Sequence, residues 1–517
     1  MMKRFYLPVL FILAIYSVAF SQEISTADNE AHVFQLITNV VVIDGTNTPA
    51  RKVSVRINDN KIEDVGDLTP KPGETVIDGG GKVLAPGFID THSHLDRSLF
   101  LKPEAIAALN QGVTTVIVGQ DGYSTSMDSI AASIRLNPIA VNLGSYTGQS
   151  SLREIVMKDG NLHRTSNTQE LDAMKIILAS EMQKGSLGLS TGLEYEEAHF
   201  SSHEEVIDLA KTAAMYHGRY ISHMRSEDVG LSEAIEETIN IGRIAKLPVQ
   251  ISHIKIALKK DWGTASLILG HLEQARLEGI NITADCYPYE YWSSTLRVLF
   301  PKTDFTNIES AEFAVNETLD PSASFVLPFA PNTTYEGKTI TEIATMRHET
   351  PAQTIISLIA LVDEYEKKNP EATNVQSIIA KSMSDSDIMN FLSWANTNIC
   401  TDGWDGGKHP RGYGAFTRVL ANYVRNKKIM SLENAIYKMT SLAAEHTGIA
   451  NRGVIAPGFY ADLVLLDPIT VQDNATIQNP SALSDGILKV WVNGKIVFEE
   501  KKSTHQYPGL FLKRQME

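Results

Sequence analysis

Eight short apolar segments, separated by helix-patterned stretches, constrain this 517-residue chain more than any other feature. They are Val83–Asp90, Thr114–Gly119, Ile139–Leu143, Gly188–Thr191, Tyr220–His223, Val249–His253, Asn281–Asp285 and Asn398–Thr401. Short runs apolar on both faces, with helices between them, mark a parallel sheet, because each parallel connection crosses over and covers a face. Eight such units closed on themselves make an α/β fold of the (β/α)₈ barrel type, with its reactive groups at the carboxyl ends of the strands. The polar residues of interest fall there: His92, His94, Glu194, His223, His253 and Asp402.

The two ends of the chain read differently. From His32 to Asp78, β-rich runs such as Val53–Ile57 alternate with turns, and similar runs return at 461–466 and 487–498 around the hairpin signal Asn493-Gly494. Segments 22–83 and 446–517 are expected to build one small β-sandwich, leaving 84–445 as the barrel. More than a hundred residues separate the seventh and eighth strands. They include an amphipathic stretch, Ala352–Lys368, with Ile355, Ile356, Ile359 and Val362 on one side, so an inserted subdomain at about 301–390 is expected over the barrel mouth.

Lys3 and Arg4, an apolar run from Phe5 to Phe20 and the small-x-small step Ala19-Phe20-Ser21 form a secretory signal pattern over residues 1–21. A periplasmic or secreted protein is the expectation, with no further membrane segment after cleavage. Only Cys286 and Cys400 are present, so no disulfide framework supports the fold, and both read as inert core thiols. A net charge of −15 with scattered basic residues argues against nucleic acid and anionic membranes as partners. Oligomeric state is not legible.

The chemistry begins with His92 and His94. At i and i+2 on a strand, both imidazoles project from one face, and neutral imidazole is a preferred zinc ligand. His223 and His253 each close an apolar strand in the pattern Ile-Ser-His-x-basic. Two such histidines on successive strands, added to His-x-His on the first, point to a metal site. Asp402, before Gly403, stands at the strand end nearest the first strand once a barrel closes. A carboxylate there can take a proton from an activated water and pass it to a leaving nitrogen. Glu194, at the end of the fourth strand, can bridge two metals about 3.5–4 Å apart.

On its motifs the chain resembles the N-acyl-D-amino-acid deacylase (D-aminoacylase) family of the amidohydrolase superfamily, over nearly its whole length. The carrying residues are Pro86-Gly87-Phe88-Ile89-Asp90-x-His92-x-His94, Ser186–Leu193, Ser222-His223-Met224-Arg225-Ser226-Glu227 and Ile251-Ser252-His253-x-Lys255. Thr283-Ala284-Asp285-x-Tyr287-Pro288-Tyr289, Asp402-Gly403 and His409-Pro410-Arg411-x-Tyr413-Gly414 complete the set. The resemblance implies one or two zinc ions held by His92, His94, His223 and His253, with Asp402 as ligand and proton shuttle. It also implies that Tyr287 and Arg411 take the substrate α-carboxylate and that Lys255 reaches the bound substrate. An arginine fork and a phenol suit that task.

Two departures stand out. Where the family carries a cysteine ligand in Gly-Asn-Cys-Gly, this chain has Gly119-Gln120-Asp121-Gly122, and the usual Gly-His after the third strand reads Gly148-Gln149. Asp121 can ligate or cap a turn; the expectation is that Glu194 takes the bridging role. The resemblance thus implies zinc-dependent hydrolysis of the linear amide of N-acyl-D-amino acids, giving a carboxylate and a D-amino acid. The alternatives are a dipeptidase for peptides with a C-terminal D-residue and a cyclic amide hydrolase of the hydantoinase or dihydroorotase kind. The last usually carries lysine where Glu194 stands. A binding protein that had lost catalysis would lack a ligand, whereas all four histidines and Asp402 are in place.

Overall fold

The computed structural model describes residues 34–158 and 161–514. The leader expected at 1–21 lies outside them. Eight parallel strands form the barrel: β1 (Phe88–Asp90), β2 (Val113–Val118), β3 (Asn142–Ser145), β4 (Gly188–Gly192), β5 (Arg219–His223), β6 (Val249–Ile251), β7 (Ile282–Cys286) and β8 (Thr397–Ile399). β1, β2 and β3 pair in sequence, and beyond Tyr146 the third strand resumes as Thr147–Gly148 to pair with β4, from which the order runs unbroken to β8. Two contacts complete the circle. Leu187 N donates to Ser145 O at 2.9 Å, and Asp402 N donates to His92 O at 2.8 Å while His94 N donates to Gly403 O at 3.0 Å.

β2, Val-Thr-Thr-Val-Ile-Val, is β-branched at every position and buried throughout, which suits a strand covered on both faces. The helices outside have clear termini. Thr168–Lys184, for example, starts at an Asn167 capping box and stops at Gly185 with φ +111°.

The first strand departs from expectation. Val83–Asp90 breaks at Gly87: Val83–Pro86 joins an outer sheet, antiparallel to Leu463–Leu466 and parallel to Val41–Val42, and only Phe88–Asp90 enters the barrel. The physical reason is room. A Cβ on Gly87 would lie 2.2 Å from Thr114 Oγ1, so only glycine lets the chain pass from one sheet to the other against β2. The outer sheet has seven strands drawn from both chain ends; a four-stranded sheet from residues 34–78 shares an apolar cluster with it, including Ile37, Val55, Leu84, Leu463 and Trp491. Trp491 Nε1 donates to Gln35 Oε1 at 3.0 Å across it. The chain then returns to the barrel: Gly509 N donates to Ile139 O and Leu512 N to Leu143 O, both at 2.8 Å.

After β7 the chain leaves the barrel at once. Tyr291–Ser294, Gln376–Lys381, Phe325–Phe329 and Lys338–Thr339 form an antiparallel sheet, so the insertion starts about Tyr291, ahead of the expected 301. The expected amphipathic helix is present as Pro351–Lys368, begun by a Thr350 capping box. Its buried stripe is Ile355, Leu358, Ile359 and Val362; Ile356 lies off that stripe, as a 3.6-residue period requires.

Candidate metal centre and active site

The strand ends carry tight turns that aim side chains inward. Asp121 (φ +55°), His253 (φ +35°) and Asp402 (φ +46°) all hold left-handed backbone, which for non-glycine residues is costly and clusters at functional sites. Each is held from outside. His253 N donates to Asp285 Oδ1 at 2.6 Å, and Asp402 N to His92 O. Asp121 lies between Gly119 and Gly122, both at positive φ; a Cβ on Gly119 would meet Tyr146 O at 2.3 Å.

The result is three overlapping groups of donors. His92, His94, Asp121 and Asp402 form one, Asp121, His223 and His253 a second, and Glu194, His223 and Glu227 a third, with ligand atoms inside each group within 4.8 Å of one another. Asp121 Oδ2 is 3.2 Å from His94 Nε2, and its Oδ1 is 3.5 Å from His92 Nε2 and 3.7 Å from His253 Nε2. Asp402 Oδ1 is 3.2 Å from His94 Nε2.

The carboxylate common to the first two groups is Asp121. Glu194, expected to bridge, belongs to the third, its Oε2 2.8 Å from Nε2 of His223, with Glu227 as the other acid. The His223 Nδ1 faces inward, 3.1 Å from His253 Nε2. Aspartate on the turn after β2 points at the centre of the barrel mouth, whereas Glu194 rises on the far side of the His223 ring.

The donor set fits a divalent metal. Both nitrogens of fully buried His92 and the Oδ1 of Asp121 have no hydrogen-bond partner, and buried polar atoms are ordinarily satisfied. Burial opposes protonation of His92, yet the carboxylates of Asp121, Asp402 and Asp285 outweigh it and push the ring up to about 9. Burial likewise opposes His223, which Glu227 and Glu194 push up to about 8. Burial works to raise the Asp402 carboxyl, but Arg411 and His253 hold it well below the ordinary range. A pocket that draws positive charge onto its imidazoles is one that draws in a cation. Nitrogen and oxygen donors in this mix suit zinc. The two cysteines are free and buried, and burial pushes Cys286 up to about 12, as inert core thiols should behave.

Beside the cluster lies a buried guanidinium. Arg411 Nη1 is 2.7 Å from Asp402 Oδ2, and its guanidinium sits 4.7 Å over the Tyr287 ring. Arg411 Nε and Tyr287 Oη are buried without partners, two donors left open toward one cavity. Lys255 Nζ donates to Glu227 Oε2 at 2.6 Å and lies 2.7 Å from His253 Nδ1. The cavity holds about 380 Å³; Trp292, Ser294 and Gln376 of the insertion wall it opposite the metal donors.

Two residues escaped sequence reasoning although both lay inside quoted motifs. Glu227 links His253 to Lys255. His409 accepts from Arg411 N at 3.0 Å on Nδ1 and reaches Tyr291 O at 3.0 Å with Nε2, bracing the turn that carries the guanidinium. Their signal was position within the motif, with no residue type that announced a role.

Comparison with known proteins agrees with this geometry. A model of the amidohydrolase family matches residues 75–353 and 403–498. D-aminoacylase from Alcaligenes xylosoxydans xylosoxydans is 32% identical over 93% of this chain and 97% of its own. A D-aminoacylase structure described by its binuclear metal centre superposes with a TM-score of 0.82 at 31% identity, covering 93% of this chain and 99% of that one. N-acyl-D-glutamate deacylase from Bordetella bronchiseptica, complexed with zinc and a phosphonate mimic of the tetrahedral intermediate, gives 0.82 at 29% identity with the same coverage.

Proposed function

The chain belongs to the amidohydrolase family, and from that premise we propose that it hydrolyses the linear amide bond of N-acyl-D-amino acids, releasing a carboxylate and a D-amino acid. One observation carries the reading: a four-histidine, two-aspartate cluster opens through His94, Asp121, His223, His253 and Asp402 into the same cavity as a guanidinium and a phenol whose unpartnered donors suit a carboxylate. His92, His94, Asp121 and Asp402 would hold one zinc, and Asp121, His223 and His253 a second. Zinc bound there supplies a Lewis acid for the amide carbonyl and lowers the pKa of water.

The rest is done by the chain. Arg411 Nε and Tyr287 Oη receive the α-carboxylate, which fixes the amide at the cluster beside Asp402. Arg411 keeps Asp402 ionised at neutral pH, so its Oδ1 is ready to accept a proton from the attacking water. The same oxygen then returns that proton to the departing amine. Trp292, Ser294 and Gln376 of the insertion line the cavity across which these groups act.

A second reading keeps one foothold. Asp96 lines the same cavity with a buried Oδ1 that has no partner, an acceptor suited to the ammonium of an L-aminoacyl-D-residue dipeptide. The leader pattern supports export to the periplasm or beyond.

The test is amine release from a panel of N-acetyl-D- and N-acetyl-L-amino acids, with dipeptides ending in a D-residue alongside, by zinc-loaded protein and its Asp402→Asn variant. D-selective release from the acetyl substrates, reduced at least roughly a thousandfold in the variant, supports the reading. Release from the dipeptides alone moves the function to the second reading, and release from neither sinks both.

A further inference from the structure

Glu227 lies beneath both halves of the site. Its Oε1 is 3.0 Å from Nδ1 of His253, and its Oε2 accepts from Lys255 Nζ at 2.6 Å. Lys255 Nζ is itself 2.7 Å from that same Nδ1. The imidazole nitrogen therefore has two neighbours with opposite requirements. A carboxylate oxygen calls for a hydrogen on Nδ1; an ammonium calls for a lone pair.

A neutral imidazole carries one ring hydrogen, so the choice at Nδ1 decides the state of Nε2. Hydrogen on Nδ1 leaves the Nε2 lone pair facing Asp121 at 3.7 Å and His223 at 3.1 Å. Hydrogen on Nε2 would turn an N–H into the cluster and remove one metal donor. The outcome depends on which neighbour wins.

We propose that Glu227 is a positioning residue that selects the ligating tautomer of His253 and, with its second oxygen, holds the Lys255 ammonium in the wall of the cavity. The inference rests on the function proposed above, and it adds that metal binding and substrate binding depend on one carboxylate. Glutamate suits the task because it has two acceptors on one planar group. Its side chain is buried, and Oε1 stands 3.0 Å from Nδ1 with no hydrogen-bond partner, so its acceptor capacity is free for His253. The ammonium is bonded to Oε2 although it stands 2.7 Å from Nδ1, and with three hydrogens it can serve Oε2 without spending one on the ring. The backbone secures the position, since Ala257 N donates to Glu227 O at 3.1 Å.

The neighbouring ring repeats the arrangement in mirror order. Glu194 takes Nε2 of His223 at 2.8 Å and leaves Nδ1 facing inward. Two rings thus present different nitrogens to one centre, each backed by its own carboxylate. That is the outer-shell pattern by which proteins set ligand tautomers.

Glu227→Gln keeps the shape but offers one acceptor and one NH₂ donor. If the amide oxygen faces His253, the NH₂ meets the Lys255 ammonium and releases it. If the NH₂ faces His253, Nδ1 must accept and Nε2 gains the hydrogen. At least one function must then suffer. Two readouts separate them: zinc affinity by chelator competition without substrate, and KM against kcat for the N-acetyl-D-amino acid turned over fastest. The expected result is zinc affinity weakened by roughly 10–100-fold, or KM raised by about tenfold or more with kcat less affected. Glu227→Asp, one methylene shorter, is expected to keep one partner and lose the other. Lys255→Met removes the competitor at Nδ1 and is expected to raise KM while leaving zinc affinity intact.

Wild-type zinc affinity together with wild-type KM in Glu227→Gln would overturn the proposal. So would a fall in zinc affinity in Lys255→Met equal to that in the Glu227 variants. If the unaltered protein binds no zinc or turns over no N-acyl-D-amino acid, the function reading fails and takes this one with it, a result distinct from a competent enzyme indifferent to Glu227.

Discussion

Two buried polar clusters flank the last barrel strand, one around Asn398 and one around Asp402. Behind the strand, His446 Nδ1 meets Asn398 Oδ1 at 2.6 Å, Asn398 donates to Thr91 Oγ1, and Lys438 Nζ donates to the Trp394 and Thr397 carbonyls. In front stand His92, Asp121, Asp402 and Arg411. Burial is similar in both. Behind the strand it pulls His446 down to about 3 and Lys438 down to about 8, because no carboxylate opposes it. In front, carboxylates overcome it and His92 rises to about 9. The rear cluster spends its donors on fixed neighbours and serves packing. The front cluster keeps charge and leaves atoms open, which is the condition of a site awaiting a ligand.

The contrast can be broken first at Asp121. Asp121→Ala is expected to weaken zinc binding by more than roughly 100-fold, since it removes a donor shared by two of the three groups and exceeds the effect of changing a residue behind a ligand. Asp121→Cys, the residue of the resembled family, should restore binding. Retained zinc in Asp121→Ala, measured by dialysis and metal analysis, would return the shared role to Glu194.

Next comes Arg411→Lys. A lysine keeps the charge but cannot serve Asp402 and a substrate carboxylate with one planar fork. Lost hydrogen bonds to charged groups are worth about 1.5–3 kcal/mol, so KM should rise by roughly 10–100-fold. Steady-state kinetics that show kcat alone falling would place Arg411 in the chemical step and not in binding.

The smallest effect belongs to the rear cluster. His446→Leu leaves Asn398 Oδ1 without its donor, at a cost of about 1–3 kcal/mol near pH 7. The folded His446 titrates far below its unfolded value near 6.5, so the unfolded state binds more protons between those limits and wild-type stability falls as pH drops. The variant lacks that slope, so the gap between the two proteins should narrow from pH 6.5 toward 3 in denaturant melts. A gap that widens with acid would show His446 to be charged in the fold.

Periodicity and strand-end chemistry made the barrel, the histidines and Asp402 legible, because alternation and buried apolar runs are local properties. What escaped was decided by space. Gly87 splits one apolar run between two sheets because Thr114 is 2.2 Å from its missing Cβ, and no local pattern records that neighbour. The insertion begins at Tyr291 because Tyr291–Ser294 pairs with Gln376–Lys381 far along the chain. Glu194 and Asp121 both end strands and both are acids. Choosing between them needed the direction of the positive-φ turn at Asp121, which sequence does not display. Glu227 was visible as a letter in a motif, but its two partners come from a different strand.

The tail segment that touches β3 has a bearing on how the molecule is made. Leu143 donates to no partner of its own neighbourhood there; it receives Leu512 N and gives its N–H to Leu510 O, about 370 residues downstream. Val83–Pro86, five residues before the first histidine pair, waits likewise for Leu463–Leu466. On a ribosome the barrel strands emerge well before either support exists. A newly made chain therefore carries its metal donors for many seconds at about 5–20 residues per second before the strands beneath them are braced. Bracing of β3 and of the strand that leads into β1 is thus a non-local event, reached only when residues about 370 positions downstream are in place.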